Sequence, residues 1–354
     1  MSAHPDLAPQ SLDTATALPA PYYSGSDSHF LDLKQVFARS WQFIAHVSQL
    51  ANTGDHVVGR IGQLPVIAVR GDDGEIRVFH NVCRHRAGPI AQCDGLGAKA
   101  LRCRYHGWTY TLEGQLRSAP EMKDAQAFDV SDIRLPQLAV KVWNGLVFAT
   151  PDAAQAPDFD EFLAGIAARI GADRGLEHYV GHHRVGYDID CNWKVYVDNY
   201  LEGYHVPHVH PELNRLLDYR SYRTELSRWH SLQWSPLESS DSLYGNGDAL
   251  YYWLWPTTTL NILPGRLQVN RILPLGPDRC RVEFDTWYAP DLDDAARRQA
   301  DIDFSDDVQH EDIHICEDVQ RGLASGSYVA GRLNPLRESG VHHFHELLRA
   351  AYRG

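Results

Sequence analysis

The stretch from Cys83 to Trp108, CRHRAGPIAQCDGLGAKALRCRYHGW, constrains this chain more than any other. It carries Cys83-x-His85, then 17 residues, then Cys103-x2-His106. Gly88, Pro89 and Gly107 permit sharp turns, so each Cys/His pair is expected on a tight loop between strands. Two thiolates and two imidazoles are a metal-binding donor set, and two kinds of metal centre answer to it. A zinc ion would take all four in a tetrahedron. A [2Fe–2S] cluster would take Cys83 and Cys103 on one iron and His85 and His106 on the other. Zinc patterns usually place both Cys first and both His last. Here each pair mixes one Cys with one His, which suits a cluster held by both loops. Cys93 is a spare, read as a small buried or loop thiol. Arg84, Arg86, Lys99, Arg102 and Arg104 cluster around the site in an otherwise acidic chain. They are either a solvated rim or a docking patch for an acidic electron donor.

The chain has 354 residues, which suits two packed domains. Apolar residues make up 44% and charged residues 22%, the profile of a soluble globular protein. A net charge of −13 argues against nucleic acid or an anionic membrane as the main partner. Six irregularly spaced Cys do not make a disulfide framework and fit a reducing, cytoplasmic compartment. No stretch approaches the ~18 apolar residues of a membrane span. The N-terminus has neither the basic nor the apolar region of a secretory signal.

Residues 1–20 are rich in Pro, Ala and Thr and read as a flexible leader, with a helical segment over 21–40. Residues 41–150 are strand-like. HVVGRIG, LPVIAVRG, IRVFHNV, LAVKVWNG and LVFAT are separated by Gly, Asp and Pro turns, which describes a small antiparallel β domain. Residues 151–180 read as a linker entering a helix. A second domain over 181–354 mixes both elements. A helix is expected from Trp193 to His205, ending before Pro207. Strands follow in YYWLWP, TTLNIL, RLQVNRILPLG and CRVEFDTWYAP, and a long helix from Ser305 to about Gly322, with Gly322 as its C-cap. The fold class is α+β, an antiparallel sheet with helices on one side following an all-β domain.

A second constellation lies in NWKVYVDNYLEGYHVPHVHPEL, residues 192–213. An iron–sulfur cluster only moves electrons, so any chemistry on a substrate needs a second centre. The expected device is a mononuclear Fe(II) held by two His and one carboxylate. On a helix, Asp198, Glu202 and His205 share one face. After the break at Pro207, His208 or His210 can turn back beside His205. The third ligand is sought in SDDVQHEDIHICEDVQRG. At 100° per residue, Val308, Asp312, Ile315 and Val319 form one stripe, so Asp312 sits on an apolar face and needs a cation or donors there. Glu311 falls at the stripe's edge, Asp318 well off it and Glu317 opposite.

CRHRAG and CRYHGWTY resemble the Rieske non-haem iron oxygenases more than the Rieske proteins of respiratory complexes, which carry an extra Cys beside each ligand pair. That resemblance runs from about Trp41 to the C-terminus. The family pattern is carboxylate-x3-carboxylate-x2-His-x4-His, which Asp198, Glu202, His205 and His210 match. It implies His205 and His210 as iron ligands, with His208 spare, and QHEDIHICEDVQRGL is similar to the segment that carries the third, Asp312. It implies that Glu202 bridges the two centres, bonding a ligand His of its own subunit and a Rieske His of a neighbour, with Asp198 supporting the bridge or the iron-bound His. Most members use Asp there, and Glu is shared with oxygenases of quaternary amines. The implied architecture is a Rieske domain followed by a helix-grip catalytic domain, an antiparallel sheet around a long helix. The implied assembly is a homotrimer, or a trimer with a second subunit, fed from NAD(P)H by a separate reductase or ferredoxin. The implied chemistry is mono- or dioxygenation of a small substrate with O₂.

CNWKVYVDNYL, HVP, LPLGPDRCRVEFDTWY and HHFHELL are similar to the choline monooxygenase, or quaternary-amine, branch. Tyr251, Tyr252, Trp253 and Trp255, with Trp229 and Trp234, offer rings for a cation–π cage around an N-methyl ammonium, or are ordinary strand packing. The alternative substrate is an aromatic acid, its carboxylate paired by Arg215, Arg220 or Arg266. A zinc-stapled ligand-binding protein and a pure electron carrier are the readings outside oxygenase chemistry.

Overall fold

The structure is a computed structural model that describes residues 7–171, 174–237, 243–292 and 294–353. Its chain forms two compact units. One is Ala38–Ala156 with Gly175–His178, and the remaining described residues form the other.

The first unit is built from three small antiparallel sheets, because its strands are short and Gly or Asp turns fall between them. The strands are β1 (Gln42–His46), β2 (His56–Ile61), β3 (Leu64–Arg70), β4 (Ile76–His80), β5 (Leu101–Arg102), β6 (Thr109–Tyr110), β7 (Leu116–Ser118), β8 (Ala139–Trp143) and β9 (Leu146–Thr150). They pair as β1-β9-β8, β2-β3-β4 and β5-β6-β7. β9, with the apolar run LVFA, is buried at every position. One core gathers Ile44, Val57, Val66, Val78 and Val147. A second, around Phe79, Trp108, Tyr110 and Leu112, contains Cys83 and Cys103. The expected strands over 41–150 are all present.

The second unit is a seven-stranded antiparallel sheet in the order β10-β16-β15-β14-β13-β12-β11. Its strands are β10 (Val180–Ile189), β11 (Arg223–Leu226), β12 (His230–Leu237), β13 (Gly247–Leu254), β14 (Thr258–Leu263), β15 (Arg266–Pro274) and β16 (Cys280–Tyr288). β11 to β16 form a meander and β10 adds to β16. β15 is buried along its whole length, Arg266 and Arg271 included, because each finds carboxylate partners, Asp301 for Arg266 and Glu283 and Asp285 of β16 for Arg271. The helices are α1 (Pro21–Ser24), α2 (Ser26–Leu31), α3 (Phe159–Phe162), α4 (Ile166–Ile170), α5 (Trp193–Tyr200), α6 (Val206–Val209), α7 (Pro211–Leu216), α8 (Ala295–Ala324) and α9 (Ser339–Arg353). α8 is tied to the sheet by polar contacts: Asp306 to Tyr187 of β10, Asp301 to Arg266 of β15 and Tyr288 of β16, and Ser305 to Gln268 of β15. This is the expected α+β architecture, with a long helix gripped by an antiparallel sheet.

Five boundaries differ from expectation. Residues 7–20 are no flexible leader: Ala15 and Leu18 are buried, Ala17 N–H donates to Gly331 O (2.9 Å), and Arg349 donates to Thr16 O (3.1 Å). Residues 1–6 lie outside the described residues. The 21–40 segment is helical, but up to Phe37 it belongs to the second unit. Its Asp32 is wholly buried and accepts from Trp193 Nε1 (2.8 Å), Lys194 Nζ and the Tyr352 hydroxyl. Lys194 is equally buried, and removing one partner of such a pair costs about 3–5 kcal/mol. Pro157–Arg174 likewise joins the second unit rather than standing apart as a linker. The long helix starts at Ala295, capped by Asp294, ten residues before Ser305. The residues ahead of Ser305 include good helix formers, and Asp301 anchors their inner face. Gly322 lies inside it, two residues short of the end. Finally, the helix at Trp193 ends at Tyr200, not His205. Leu201 is its C-cap (φ −79°, ψ 1°), and beyond it Gly203 packs against Tyr222, where a Cβ would come within 2.7 Å of the ring. Pro207 then sits in the first turn of α6, where its missing N–H costs nothing.

Candidate metal centres and substrate pocket

The two Cys/His loops of the first unit close by one repeated pattern. Cys83 N–H donates to Gly88 O (2.8 Å) and Ala87 N–H to Cys83 O (3.0 Å). Cys103 N–H donates to Trp108 O (2.9 Å) and Gly107 N–H to Cys103 O (3.0 Å). The fourth residue after each Cys has a positive φ, 56° at Ala87 and 74° at Gly107. The loops face each other, with the His85 and His106 rings 4.6 Å apart. Trp108 stacks on His85 at 4.7 Å, which fixes that ring.

This cradle fits a [2Fe–2S] cluster. Among the described residues His85 Nδ1 is buried without a hydrogen-bond partner, a costly arrangement unless a metal takes the lone pair. A Cβ on Gly88 would stand 3.1 Å from Cys103 Sγ, so only glycine leaves the cradle clear. Burial, and then the neighbouring Cys83, push the Cys103 thiol up, so two thiolates need cations between them. The Tyr110 hydroxyl lies 3.2 Å from Cys83 Sγ and accepts from Arg84 N–H at 3.0 Å. A metal-bound thiolate can only accept, so Tyr110 donates to it. Arg84, Arg86, Lys99, Arg102 and Arg104 are all exposed, as is Cys93, a loop thiol.

In the second unit, three residues from two distant segments converge. His205 Nε2 and His210 Nε2 are 3.1 Å apart, and Asp312 Oδ1 lies 3.0 Å from His210 Nε2 and 3.8 Å from His205 Nε2. His205 and His210 flank α6, and Asp312 projects from α8. Both imidazoles are oriented from behind. His205 Nδ1 donates to Glu202 Oε1 (2.7 Å) and His210 Nδ1 to Glu311 Oε2 (2.7 Å). With Nδ1 protonated, each neutral ring points an Nε2 lone pair at the other and at a carboxylate. Three converging lone pairs need a cation, and two His with one carboxylate are the donor set of mononuclear Fe(II). Burial pulls the His210 pKa down, but Asp312 and Glu311 outweigh it and raise it, a second sign of the site's demand for positive charge. Asn199 Nδ2 donates to Asp312 Oδ1 (2.6 Å) and holds that carboxylate in place.

Glu202 is half-buried, beyond the end of α5, and also accepts from the backbone N–H groups of Tyr204 and His205. Asp198 corrects the expectation. Its oxygens go to the Tyr23 hydroxyl (2.6 Å) and His345 Nε2 (2.9 Å), so it supports neither Glu202 nor a ligand histidine. The helix ends at Tyr200, so Glu202 and His205 lie beyond it and do not share a helical face with Asp198. His208 is exposed and spare. Glu311 and Asn199 were missed as positioning groups. Their only sequence signal was adjacency, one beside Asp312 and the other beside Asp198.

A cavity of 120 Å³ opens at the His205–His210–Asp312 atoms. Tyr200, Tyr222, Tyr244 and Tyr251 line it, with Val206, Leu213 and Phe304. Of the six rings proposed for a cage, Tyr251 alone faces this cavity. Trp253 and Trp255 pack on Phe344 of α9, Tyr252 lies near His230, and Trp229 and Trp234 hydrogen-bond to Glu161 and Asp248. Strand alternation sends Tyr252 away from Tyr251, and α9 occupies the tryptophans. Among the three arginines, Arg215 pairs with Glu212 at the surface, Arg220 is exposed, and Arg266 lines the cavity.

Comparison with known proteins follows the same division. The family described as Rieske [2Fe-2S] domain matches residues 40–137, and that described as ring hydroxylating alpha subunit (catalytic domain) matches residues 176–354. The chain is 37% identical to the chloroplastic choline monooxygenase of Arabidopsis thaliana, over 95% of this chain and 83% of that protein. It is 31% identical to the carnitine monooxygenase oxygenase subunit of Escherichia coli K12, over 96% and 94%. The quaternary ammonium Rieske monooxygenase CntA, solved with L-carnitine, superposes with a TM-score of 0.88 at 26% identity, covering 99% of this chain and 100% of that one. A Rhodococcus naphthalene 1,2-dioxygenase, at 20% identity and a TM-score of 0.75, shares the fold. The chain therefore belongs to the Rieske oxygenases, as a ring-hydroxylating-type alpha subunit carrying a [2Fe–2S] domain and a mononuclear-iron catalytic domain. Its similarity to the choline and carnitine monooxygenases runs through both domains.

Proposed function

We propose that this oxygenase hydroxylates a small quaternary or N-methyl amine at a carbon beside the cationic nitrogen. The carrying observation is the chemistry of the cavity. Five tyrosines, with Tyr196 among them, and the carboxylates of Glu202 and Asp312 line it, and the arginine that lines it is ion-paired with Asp301. Such a lining attracts a methylated ammonium and offers an aromatic acid little. The choline and carnitine monooxygenases among its relatives carry such substrates in their names.

In this reading Cys83, His85, Cys103 and His106 hold the cluster, and His205, His210 and Asp312 hold the iron. The cluster supplies one-electron transfer and the iron activates O₂. Glu202 and Glu311 keep protons on the two Nδ1 atoms, so both Nε2 lone pairs stay available. Asn199 keeps Asp312 turned toward them. Val206, Leu213 and Phe304 exclude water, and the tyrosine rings orient the ammonium. One oxygen atom enters the C–H bond and the other leaves as water, using two electrons from NAD(P)H through a separate reductase.

The exposed basic rim around the cluster loops is suited to an acidic electron donor. A homotrimer, with Glu202 linking one subunit's iron to the next subunit's cluster, belongs to the same reading. The CntA structure is titled for inter-subunit electron transfer. A cytoplasmic location does too; several plant relatives are chloroplastic. Among the described residues, no helix is long and apolar enough to cross a membrane.

The test is O₂ uptake by the purified, iron-replete protein with NADH and a reductase of this enzyme class. Choline, carnitine, glycine betaine and benzoate are supplied in turn. Uptake coupled to product with a quaternary amine is expected. Uptake with benzoate alone would sink the proposal.

A further inference from the structure

The far end of the cavity carries a buried arginine, and its surroundings decide what that arginine can recognise. Arg266 is 4% exposed and Asp301, on α8, is 3% exposed. Arg266 Nε donates to Asp301 at 2.8 Å. Both Asp301 oxygens are further engaged, one by the Tyr244 hydroxyl and the other by the Tyr288 hydroxyl at 2.8 Å. The aspartate is therefore fixed against the guanidinium and cancels its charge where water does not screen the pair. With Arg266 so paired, no unpaired cation remains among the described lining residues. Gln309 accepts from the Tyr196 hydroxyl at Oε1 (2.6 Å), which leaves its buried Nε2 without a partner among the described residues. Asn270, 2% exposed, leaves its Oδ1 without one. One orphan donor and one orphan acceptor, both lining the cavity, suit a group that gives and takes hydrogen bonds without charge.

Resting on the quaternary-amine reading above, we propose that Asp301 is a specificity-determining residue. By quenching Arg266 it makes the cavity select a trimethylammonium compound with a hydroxyl end and reject one with a carboxylate end. A carboxylate entering here would face Asp301, find no unpaired cation on the described wall, and have no proton to give the Asn270 acceptor. A hydroxyl can give to an orphan acceptor or take from an orphan donor.

The experiment is calorimetric titration of the oxidised, iron-replete enzyme without reductase, so that no turnover occurs. The probes are choline, with a hydroxyl and no carboxylate, and γ-butyrobetaine, with a carboxylate and no hydroxyl. The native enzyme is expected to bind choline at least ~10-fold more tightly. In Asp301→Asn, with folding checked by circular dichroism, that preference is expected to shrink or invert by roughly tenfold. Asn270→Leu is the second variant and leaves the ion pair intact. It removes the acceptor that a hydroxyl can satisfy and a carboxylate cannot, so it should weaken choline roughly tenfold and leave γ-butyrobetaine unchanged, whereas a merely structural defect would weaken both. γ-Butyrobetaine binding the native enzyme as tightly as choline overturns the inference alone. So does an unchanged preference in folded Asp301→Asn, or equal losses for both probes in Asn270→Leu. No heat from either amine overturns the quaternary-amine reading itself, and the inference with it.

Discussion

The two metal centres are built in opposite ways. The cluster cradle is made by backbone: two loops, each closed by the same pair of main-chain hydrogen bonds, present their side chains from fixed turns. The iron site is made by side chains on separate elements, two His flanking a four-residue helix and one Asp on a thirty-residue helix, held by Glu202, Glu311 and Asn199. A site fixed by its own turns is sensitive to anything that fills it. A site fixed by hydrogen-bonded partners loses affinity by degrees as those partners are removed.

The sharpest way to break the comparison is to remove one centre and keep the other. His210→Ala should lower iron from about three atoms per chain to about two, abolish substrate-dependent O₂ uptake, and leave the Rieske EPR signal intact. Loss of that signal as well would mean the two centres do not fold independently. Gly88→Val should do the reverse. Its side chain begins 3.1 Å from Cys103 Sγ, so the visible absorption and EPR of the cluster should be lost while iron still binds the second unit. A brown Gly88→Val protein would count against a cradle with no spare room.

Smaller effects sharpen the contrast. Glu311→Ala and Asn199→Ala should each weaken iron binding by roughly 10–100-fold with the cluster untouched, measured by iron retention against a chelator. Unchanged retention would show that the ligands hold their positions without these partners. The mildest is Tyr110→Phe. The cluster should remain, but its reduction potential should fall, because a hydrogen bond to a ligand sulfur stabilises the reduced, more negative state. A potential equal to that of the native protein would mean the hydroxyl at 3.2 Å does not donate to the bound thiolate.

The same contrast explains what could be read in advance. The cluster site was legible because its four residues lie within 24 positions and the turns that aim them are written beside them, as Gly88 and Gly107. His205 and His210 were legible for a related reason, since five residues and one proline fix a short return of the chain. Asp312 was found through its place in an apolar stripe, and its meeting with His210 needed the fold. Glu311 was set aside as a stripe-edge residue and proved to hold His210. Asp198 was placed beside the ligands by extending a helix through Gly203. The helix stops at Tyr200, and beyond it Gly203 lies against the Tyr222 ring, which leaves no room for a side chain there. That contact comes from a segment nineteen residues later, and no local pattern reveals it.

By itself, then, the sequence determined the candidate donor residues, the strand and helix types and the order of the two domains. Those depend on residue chemistry and on periodicities that act over a few positions. Tertiary structure alone decided which side chains face the cavity, that α9 claims Trp253 and Trp255, and that residues 7–20 pack rather than trail. It also decided that Asp301 meets Arg266, thirty-five positions earlier, and leaves a candidate anion site without an unpaired cation. Such outcomes are set by what arrives from distant parts of the chain, and a buried charge takes its meaning from the partner it finds there.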